Sequence, residues 1–153
     1  MQFIFLADKA DFKPQVAQWF LDQWGHLSNA TLERNETKLS EYLNKDKIPL
    51  MILAMENNTV MGCAYLCFHE MSIYQDKEHW VGGVYVEPLY RGKMLASKMV
   101  LELERIAKHF GVEALHLQTE DLSGGLYAKL GFEELEQVNY RGVDVSVRRK
   151  ILR

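Results

Sequence analysis

Apolar residues occur along this chain either in continuous runs or at helical spacing, and these two patterns predict its secondary structure. The two apolar runs in "PLMILAMENNTVMGCAYLCFHE" are typical of buried strands, whereas the spacing in "FKPQVAQWFLDQWG" is typical of a helix. Read in order, the pattern predicts a strand, two helices, three strands, a helix, a strand, a helix and two strands. This order favours an α/β fold with one mixed sheet that carries helices on both faces.

The longest predicted helix runs from about Gly92 to Phe110. Its apolar residues recur at helical spacing, at Leu95, Met99, Leu103, Ile106 and Phe110. Its charged residues fall largely on the other side, at Glu102, Glu104, Arg105 and Lys108. The strand–helix–strand unit from Val84 to Gln118 should therefore be parallel and right-handed.

Turn signals separate the predicted strands. Asn57-Asn58 is a hairpin signal between two apolar runs, and Tyr140-Arg141-Gly142 marks a closing hairpin. Gly82-Gly83 inside a strand indicates a bulge or a close backbone approach, although two glycines could equally serve to relieve crowding. The second helix, "LERNETKLSEYLNKD", is predicted to turn Leu32, Leu39 and Leu43 inward.

The chain has 153 residues and a net charge of −3, and 48% of its residues are hydrophobic. Such a chain suits one domain, here predicted over residues 1–153. The charge does not favour nucleic acid as a partner. No apolar run reaches the roughly 18 residues of a membrane helix. The start, "MQFIFLADKADF", has acids and no basic leader, so it is interpreted as a first strand.

The two cysteines, Cys63 and Cys67, lie four positions apart in one predicted strand. That spacing separates them by about 13 Å, which exceeds the reach of a disulfide. No second Cys/His pair in the sequence completes a metal site. We therefore predict reduced, semi-buried thiols, no bound metal and a cytoplasmic location.

The segment "VYVEPLYRGKMLASKMV" places a basic, glycine-bearing corner at a helix start. The first amides of a helix have no internal partners and carry positive potential, so this corner is a candidate anion site. Gly92 would let an anion approach the backbone, and Arg91 and Lys93 would add charge. An ordinary solvated corner is the alternative. Neither a Walker loop nor G-x-G-x-x-G is present.

Together, this segment and "LYAKLGF" resemble the GNAT superfamily of acyl-CoA N-acyltransferases. The resemblance implies a central, largely antiparallel mixed sheet flanked by helices, and acetyl-CoA as cosubstrate. It implies that loop amides hold the coenzyme A pyrophosphate, and that a splayed strand holds pantetheine and the thioester. The implied cofactor residues are Val84, Tyr85, Val86, Arg91, Gly92, Lys93, Met94, Leu95, Ala96 and Ser97. The sequence departs from the family at Met94, where the loop has its second glycine.

The resemblance also implies catalytic roles. Tyr127 would protonate the leaving thiolate, the alternative being a core tyrosine, and a backbone amide of Val84–Val86 would bind the oxyanion. The position at which many relatives carry a glutamate base is occupied by Trp80 in this sequence. The alternatives for the base are Glu78, His79, His69, Glu70, a water chain, or an amine that arrives neutral. Asp121 could orient substrate, although a helix cap is the simpler interpretation.

The predicted activity is transfer of an acetyl group from acetyl-CoA to a primary amine, on a small molecule or a peptide, by direct attack in a ternary complex. Trp80 and Trp24 are the predicted acceptor contacts. The alternative is a GNAT-like module that binds coenzyme A as a sensor and has weak or no activity. The predicted partners are acetyl-CoA and an amine, without nucleic acid or membrane, and a homodimer stays open.

Overall fold

The computed structural model describes residues 1–27 and 29–153. Within these residues, seven strands and four α-helices follow the predicted order. The strands are β1 (Gln2–Phe5), β2 (Leu50–Glu56), β3 (Thr59–Phe68), β4 (His79–Val86), β5 (Ala114–Thr119), β6 (Glu133–Tyr140) and β7 (Val143–Ile151). The helices are α1 (Lys13–Trp24), α2 (Leu32–Leu39), α3 (Leu95–His109) and α4 (Gly125–Lys129).

All seven strands form one mixed sheet in the order β1-β2-β3-β4-β5-β7-β6. Strand β4 pairs with β5 in parallel, and the other neighbouring pairs are antiparallel. The predicted parallel unit around α3 and the mixed, largely antiparallel sheet are therefore confirmed. Strand β2 is buried along nearly its whole length because helices cover both faces of the sheet.

Two hydrophobic cores lie on opposite faces of the sheet. One core is formed with α3 and α4, and the other with α1 and the end of α2. Helix α3 buries its predicted apolar face but begins at Leu95, three residues later than expected. Glu104 was predicted to face solvent, yet it is only 6% exposed. Its Oε1 lies 2.8 Å from Lys150 Nζ in an ion pair whose geometry is outside that of a hydrogen bond.

Helix α2 is shorter than the sequence predicts. It ends at Leu39 and continues as a single 3₁₀ turn at Ser40–Tyr42. Leu39 is buried as predicted, but Leu32 is 37% exposed because it is the first residue of the helix and lies at the protein surface. The prediction for Leu32 was therefore wrong.

The predicted turns are present. Asn57 and Asn58 both have positive φ, as do Arg141 and Gly142, which matches the backbone of tight hairpins. The register of β4 against β3 shifts between Cys63 and Tyr65, so the predicted bulge is confirmed.

Tyr65 explains why the bulge requires glycines. A Cβ on Gly82 would lie 2.6 Å from the Tyr65 ring, and one on Gly83 would lie 2.4 Å from it. Gly83 also has a φ of +58°, which side chains rarely adopt. Both interpretations of the pair therefore apply, because the glycines form the bulge and make room for an aromatic ring.

Candidate active site

The candidate site lies where β4 and β5 separate. Their parallel pairing joins Trp80 to His116, near the start of β4. Further along β4, the register with β3 skips Gly83 and Val84 at the bulge. Because β4 is irregular on one side and diverges from β5 on the other, its residues Val81 to Val84 border a cavity.

This cavity has a volume of about 470 Å³, which is within the range of small-molecule sites. It reaches both faces of the sheet, since Tyr127 packs with the α3 core and Tyr65 packs with the α1 core. The aromatic residues that line it are Phe20, Trp24, Tyr42, Tyr65, Tyr127 and Tyr140. Its charged lining residues are Lys38, Glu70, Glu120, Asp121 and Arg141. The arrangement suits two ligands that meet through the gap in the sheet.

Tyr127 lines this cavity from the short helix α4. Its ring packs edge-to-face against Phe132, with 6.4 Å between the ring centroids. Burial raises the pKa of Tyr127 to about 12. At neutral pH the phenol is therefore protonated and can donate a hydrogen bond into the cavity.

The turn before α4 is built by Asp121. Its Oδ1 accepts hydrogen bonds from the Ser123 amide at 3.1 Å and from the Ser123 hydroxyl at 2.6 Å, which lower the pKa of the carboxyl. The residue that caps α4 is Gly124, with a φ of +89°. Asp121 thus closes a turn before the helix and does not occupy the N-cap, which corrects the simpler sequence interpretation. It also lines the cavity.

The predicted anion corner forms the start of α3. The first helical hydrogen bond runs from the Lys98 amide to the Met94 carbonyl. The amides of Leu95, Ala96 and Ser97 therefore belong to the group that a helix leaves without internal acceptors. A Cβ on Gly92 would meet no atom within 4 Å, so the backbone there is open to a bulky group.

Met94 departs from the conformation expected of it. The sequence places it in the first turn of the helix, but it lies at the N-cap with a left-handed φ of +61°. Its side chain is 72% exposed. This conformation favours glycine, the residue that the related loops have here. The corner nevertheless forms with methionine.

Arg91, which was predicted to add positive charge beside a bound anion, also contacts the end of β4. Its Nε donates a hydrogen bond of 2.8 Å to the Val86 carbonyl, and its guanidinium lies 5.6 Å from the centre of the Tyr85 ring. The Tyr85 ring also stacks on Trp19. The Val86 carbonyl, in the strand expected to hold pantetheine, accepts this hydrogen bond because the chain turns back at the end of β4.

The two tryptophans proposed as acceptor contacts differ in placement. Trp24 lines the cavity from the end of α1 and packs against Phe20. Trp80 is 0% exposed, and its Nε1 donates to the Lys77 carbonyl at 2.7 Å. Trp80 therefore has no surface to offer an acceptor, which corrects its prediction as a contact.

Among the side chains proposed as a base, Glu70 is the one that lines the cavity. Glu78 is exposed and pairs with His79 at 3.2 Å. His69 is exposed and has a positive φ. The position of the family glutamate, Trp80, carries no titratable group.

Glu70 is held by two donors that the sequence analysis did not connect with it. Its Oε1 accepts a hydrogen bond of 2.6 Å from the Tyr65 hydroxyl, and its Oε2 accepts one of 3.0 Å from the Cys67 thiol. Burial and the Glu70 charge raise the pKa values of Tyr65 and Cys67, so both stay protonated donors. The sequence did carry a signal for this cluster. Tyr65 and Cys67 are two positions apart in β3, so their side chains lie on the same face of the sheet. Cys63 and Cys67 are free and buried.

Within residues 1–27 and 29–153, no three His, Cys, Asp or Glu side chains form a set that could hold a metal ion. In the same residues, no helix combines the length and the apolar character that crossing a membrane requires.

Comparisons with known proteins agree with this geometry. Residues 13–132 match the model of the Acetyltransferase (GNAT) family. An aminoglycoside 6'-N-acetyltransferase complexed with coenzyme A is 14% identical with a TM-score of 0.79, covering 99% of this chain and 97% of that one. A ribosomal-protein-alanine N-acetyltransferase from Brucella melitensis is 20% identical with a TM-score of 0.79, covering 99% of both chains.

A third structure, from Salmonella typhimurium with its cofactor acetyl-CoA, is 20% identical with a TM-score of 0.76, covering 99% of this chain and 94% of that one. At these identities the likeness to solved structures shows the fold. No curated protein sequence matches the chain. The family model covers most of the chain, from α1 to the end of the loop after α4. The chain therefore belongs to the GNAT acetyltransferase family.

Proposed function

We propose that this protein is an N-acetyltransferase that moves an acetyl group from acetyl-CoA to a primary amine, by direct attack in a ternary complex. The observation that carries the proposal is the cavity between β4 and β5, which reaches both faces of the sheet and contains Tyr127. A donor thioester and an amine can approach each other there from opposite faces. A cytoplasmic location goes with this proposal, since acetyl-CoA is an intracellular metabolite.

The residues at the start of α3 fit coenzyme A. Amides of Leu95, Ala96 and Ser97 would bind the pyrophosphate, and open space at Gly92 lets it approach. Lys93 is exposed and adds positive charge nearby. When bound, the cosubstrate supplies an acyl thioester, whose carbonyl carbon is the electrophile.

Two groups of the chain would serve the chemistry. The backbone amide of Val84, beside the bulge, is our proposed donor to the oxyanion. The protonated phenol of Tyr127 would donate to the leaving sulfur as negative charge develops on it, while the attacking nitrogen would lose one proton to water as the amide forms. Both residues line the cavity, Val84 from β4 and Tyr127 from α4.

A second candidate function is a coenzyme A sensor with weak or no transferase activity. Two observations favour it: Met94 has a side chain where the family loop has glycine, and the position of the family glutamate is occupied by the buried Trp80. Neither observation removes the cavity or Tyr127. The transferase is therefore the function that the geometry supports better.

The test is incubation of the purified protein with acetyl-CoA and a panel of primary amines. We expect release of free thiol that depends on the amine, together with a product that is heavier by one acetyl group in mass spectrometry. Binding of coenzyme A in calorimetry without thiol release for any amine would favour the sensor. Absence of both binding and thiol release would contradict both functions.

Replacing Gly92 with valine is expected to raise the dissociation constant for coenzyme A at least about tenfold, which corresponds to about 1.4 kcal/mol. Gly92 has a φ of +82°, and a β-branched residue both resists that backbone and places bulk where the pyrophosphate would approach. The matched control is Gly111→Val at the other end of α3, where φ is +79° and a Cβ would also meet open space. Equal affinities of the two variants would contradict the site.

Replacing Met94 with glycine is expected to tighten coenzyme A at least about threefold, or about 0.7 kcal/mol. Glycine adopts the observed φ of +61° without strain and removes a side chain beside the proposed pyrophosphate site. Asn58→Gly, at a φ of +66° in the β2–β3 turn, is the control and should leave the affinity unchanged. Unchanged or weaker binding by the Met94 variant would mean that the ligand accommodates methionine.

A further inference from the structure

We propose that Glu70 is the acceptor-binding residue of this site, and that the acceptor is a cationic amine with an apolar or aromatic body. This inference rests on the proposed function. Glu70 lies in the connection between β3 and β4, and this part of the site did not follow from the family resemblance.

The position of Glu70 is fixed from both sides along the chain. The next residue, Met71, is fully buried, and its carbonyl accepts a hydrogen bond of 3.1 Å from the Tyr74 amide. The preceding residue, His69, donates its amide to the Glu78 carbonyl at 2.9 Å. Glu70 therefore lines the cavity from an anchored segment.

The carboxylate retains capacity for a ligand. Each oxygen accepts one hydrogen bond, from Tyr65 and from Cys67, whereas an ionised carboxylate can accept about four. Both donors are neutral, so they orient Glu70 without cancelling its charge. A protonated primary amine has three donors and one positive charge, and is a complementary partner. It passes one proton to water before its nitrogen attacks the thioester carbonyl.

Glu70 is close to the proposed acetyl donor site through Tyr65. The Tyr65 ring lies directly over the backbone of Gly82 and Gly83, where β4 leaves β5. The hydroxyl of the same Tyr65 donates a hydrogen bond to Glu70, so Glu70 is one side chain away from this part of β4. An ammonium held by Glu70 is therefore placed on the α1 side of the gap, opposite the face on which Tyr127 packs.

The walls and charges of the cavity define the rest of the acceptor. Phe20, Trp24, Tyr42 and Tyr140 offer aromatic surface to an apolar body. The acids Glu120 and Asp121 lie at the end of β5 and just before α4, and Lys38 on α2 and Arg141 in the β6–β7 turn are the cations of the lining. The aromatic walls therefore suit an apolar or aromatic body beside the ammonium.

The test compares phenethylamine with ethylamine, which lacks the aromatic ring. The wild-type protein should acetylate phenethylamine with a kcat/KM at least about tenfold higher, since the ring buries apolar surface against the cavity wall. In Glu70→Gln, the KM for phenethylamine should rise at least about tenfold, the usual effect of removing a charged hydrogen-bond partner. Its dissociation constant for coenzyme A should not change. Glu78→Gln, an exposed glutamate in the same connection, is the matched control and should behave as wild type.

Direct binding separates this inference from the proposed function. In the presence of coenzyme A, phenethylamine should bind the wild type and bind Glu70→Gln at least about tenfold more weakly, measured by NMR titration. Binding that depends on Glu70 without any acetylation would overturn the transferase and keep the acceptor site. Tyr65→Phe, which removes one of the two donors to Glu70, should raise the KM by a smaller factor. Acetylation with equal KM values in wild type and Glu70→Gln, or an equal kcat/KM for ethylamine and phenethylamine, would overturn the inference.

Discussion

Replacing Tyr127 with phenylalanine is expected to lower kcat at least about tenfold, because general acid catalysis commonly contributes about a hundredfold or more and water substitutes in part. The substitution keeps the ring packing against Phe132 and removes only the hydroxyl. The dissociation constant for coenzyme A should change little. Steady-state kinetics with an accepted amine, under conditions in which chemistry limits the rate, provide the measurement.

Tyr74→Phe is the control for this variant. It removes a phenol hydroxyl that hydrogen-bonds Glu136 outside the cavity, so it should leave kcat near the wild-type value. The pKa of Tyr127, raised by burial to about 12, adds a further expectation. An acid stays protonated below its pKa, so loss of the Tyr127 proton should not reduce activity as the pH rises from 7 to 10. A Phe variant with wild-type turnover would remove Tyr127 from the mechanism.

Replacing Gly83 with alanine is expected to lower the free energy of unfolding by about 2–5 kcal/mol. The left-handed φ of +58° costs an L-residue about 1–2 kcal/mol, and the contact with Tyr65 adds an overpacking cost of about 1–3 kcal/mol. For a protein of this size, each kcal/mol lowers the melting temperature by about 2–4 °C. Thermal and urea unfolding would measure the change.

Gly142→Ala isolates the backbone part of that cost. Gly142 has a φ of +86°, and a Cβ there would meet no atom within 4 Å. The Gly142→Ala variant should therefore lose only about 1–2 kcal/mol of its free energy of unfolding, which is the cost of the left-handed conformation for an L-residue. The Gly83 variant should also cost less in a Tyr65→Leu background, since the smaller side chain can move away. Equal losses at Gly83 and Gly142 would contradict the role of Tyr65.

Most elements of the fold could be predicted from the sequence because their signals are local. The apolar period of α3 and the runs of β2 and β3 each lie within about ten to fifteen residues, so the chain order and the parallel β4–β5 unit followed from the sequence. The turns at Asn57-Asn58 and Arg141-Gly142 are equally local, since they depend on residues that tolerate positive φ. The anion corner followed from adjacent residues for the same reason.

The acceptor side of the site was decided by tertiary structure. Trp80 and Glu70 are ten positions apart, and the sequence favoured Trp80 as a contact, but packing buries Trp80 against Tyr74 and His116 and leaves Glu70 in the cavity. Trp80 pairs with Cys67 inside the sheet, whereas Glu70 lies in the connection between β3 and β4. The direction of each side chain therefore depends on how β4 pairs and how that connection folds back.

The same distinction explains two other contacts. Glu104 is buried because Lys150, forty-six positions away, reaches it from β7, and the Val86 carbonyl accepts a hydrogen bond because the chain turns back and brings Arg91 to it. By itself, the sequence determined the elements, their order and the loop that starts α3. Only the tertiary structure decided which polar groups meet, because hydrogen bonds and ion pairs between distant segments form after strand pairing has set the direction of each side chain.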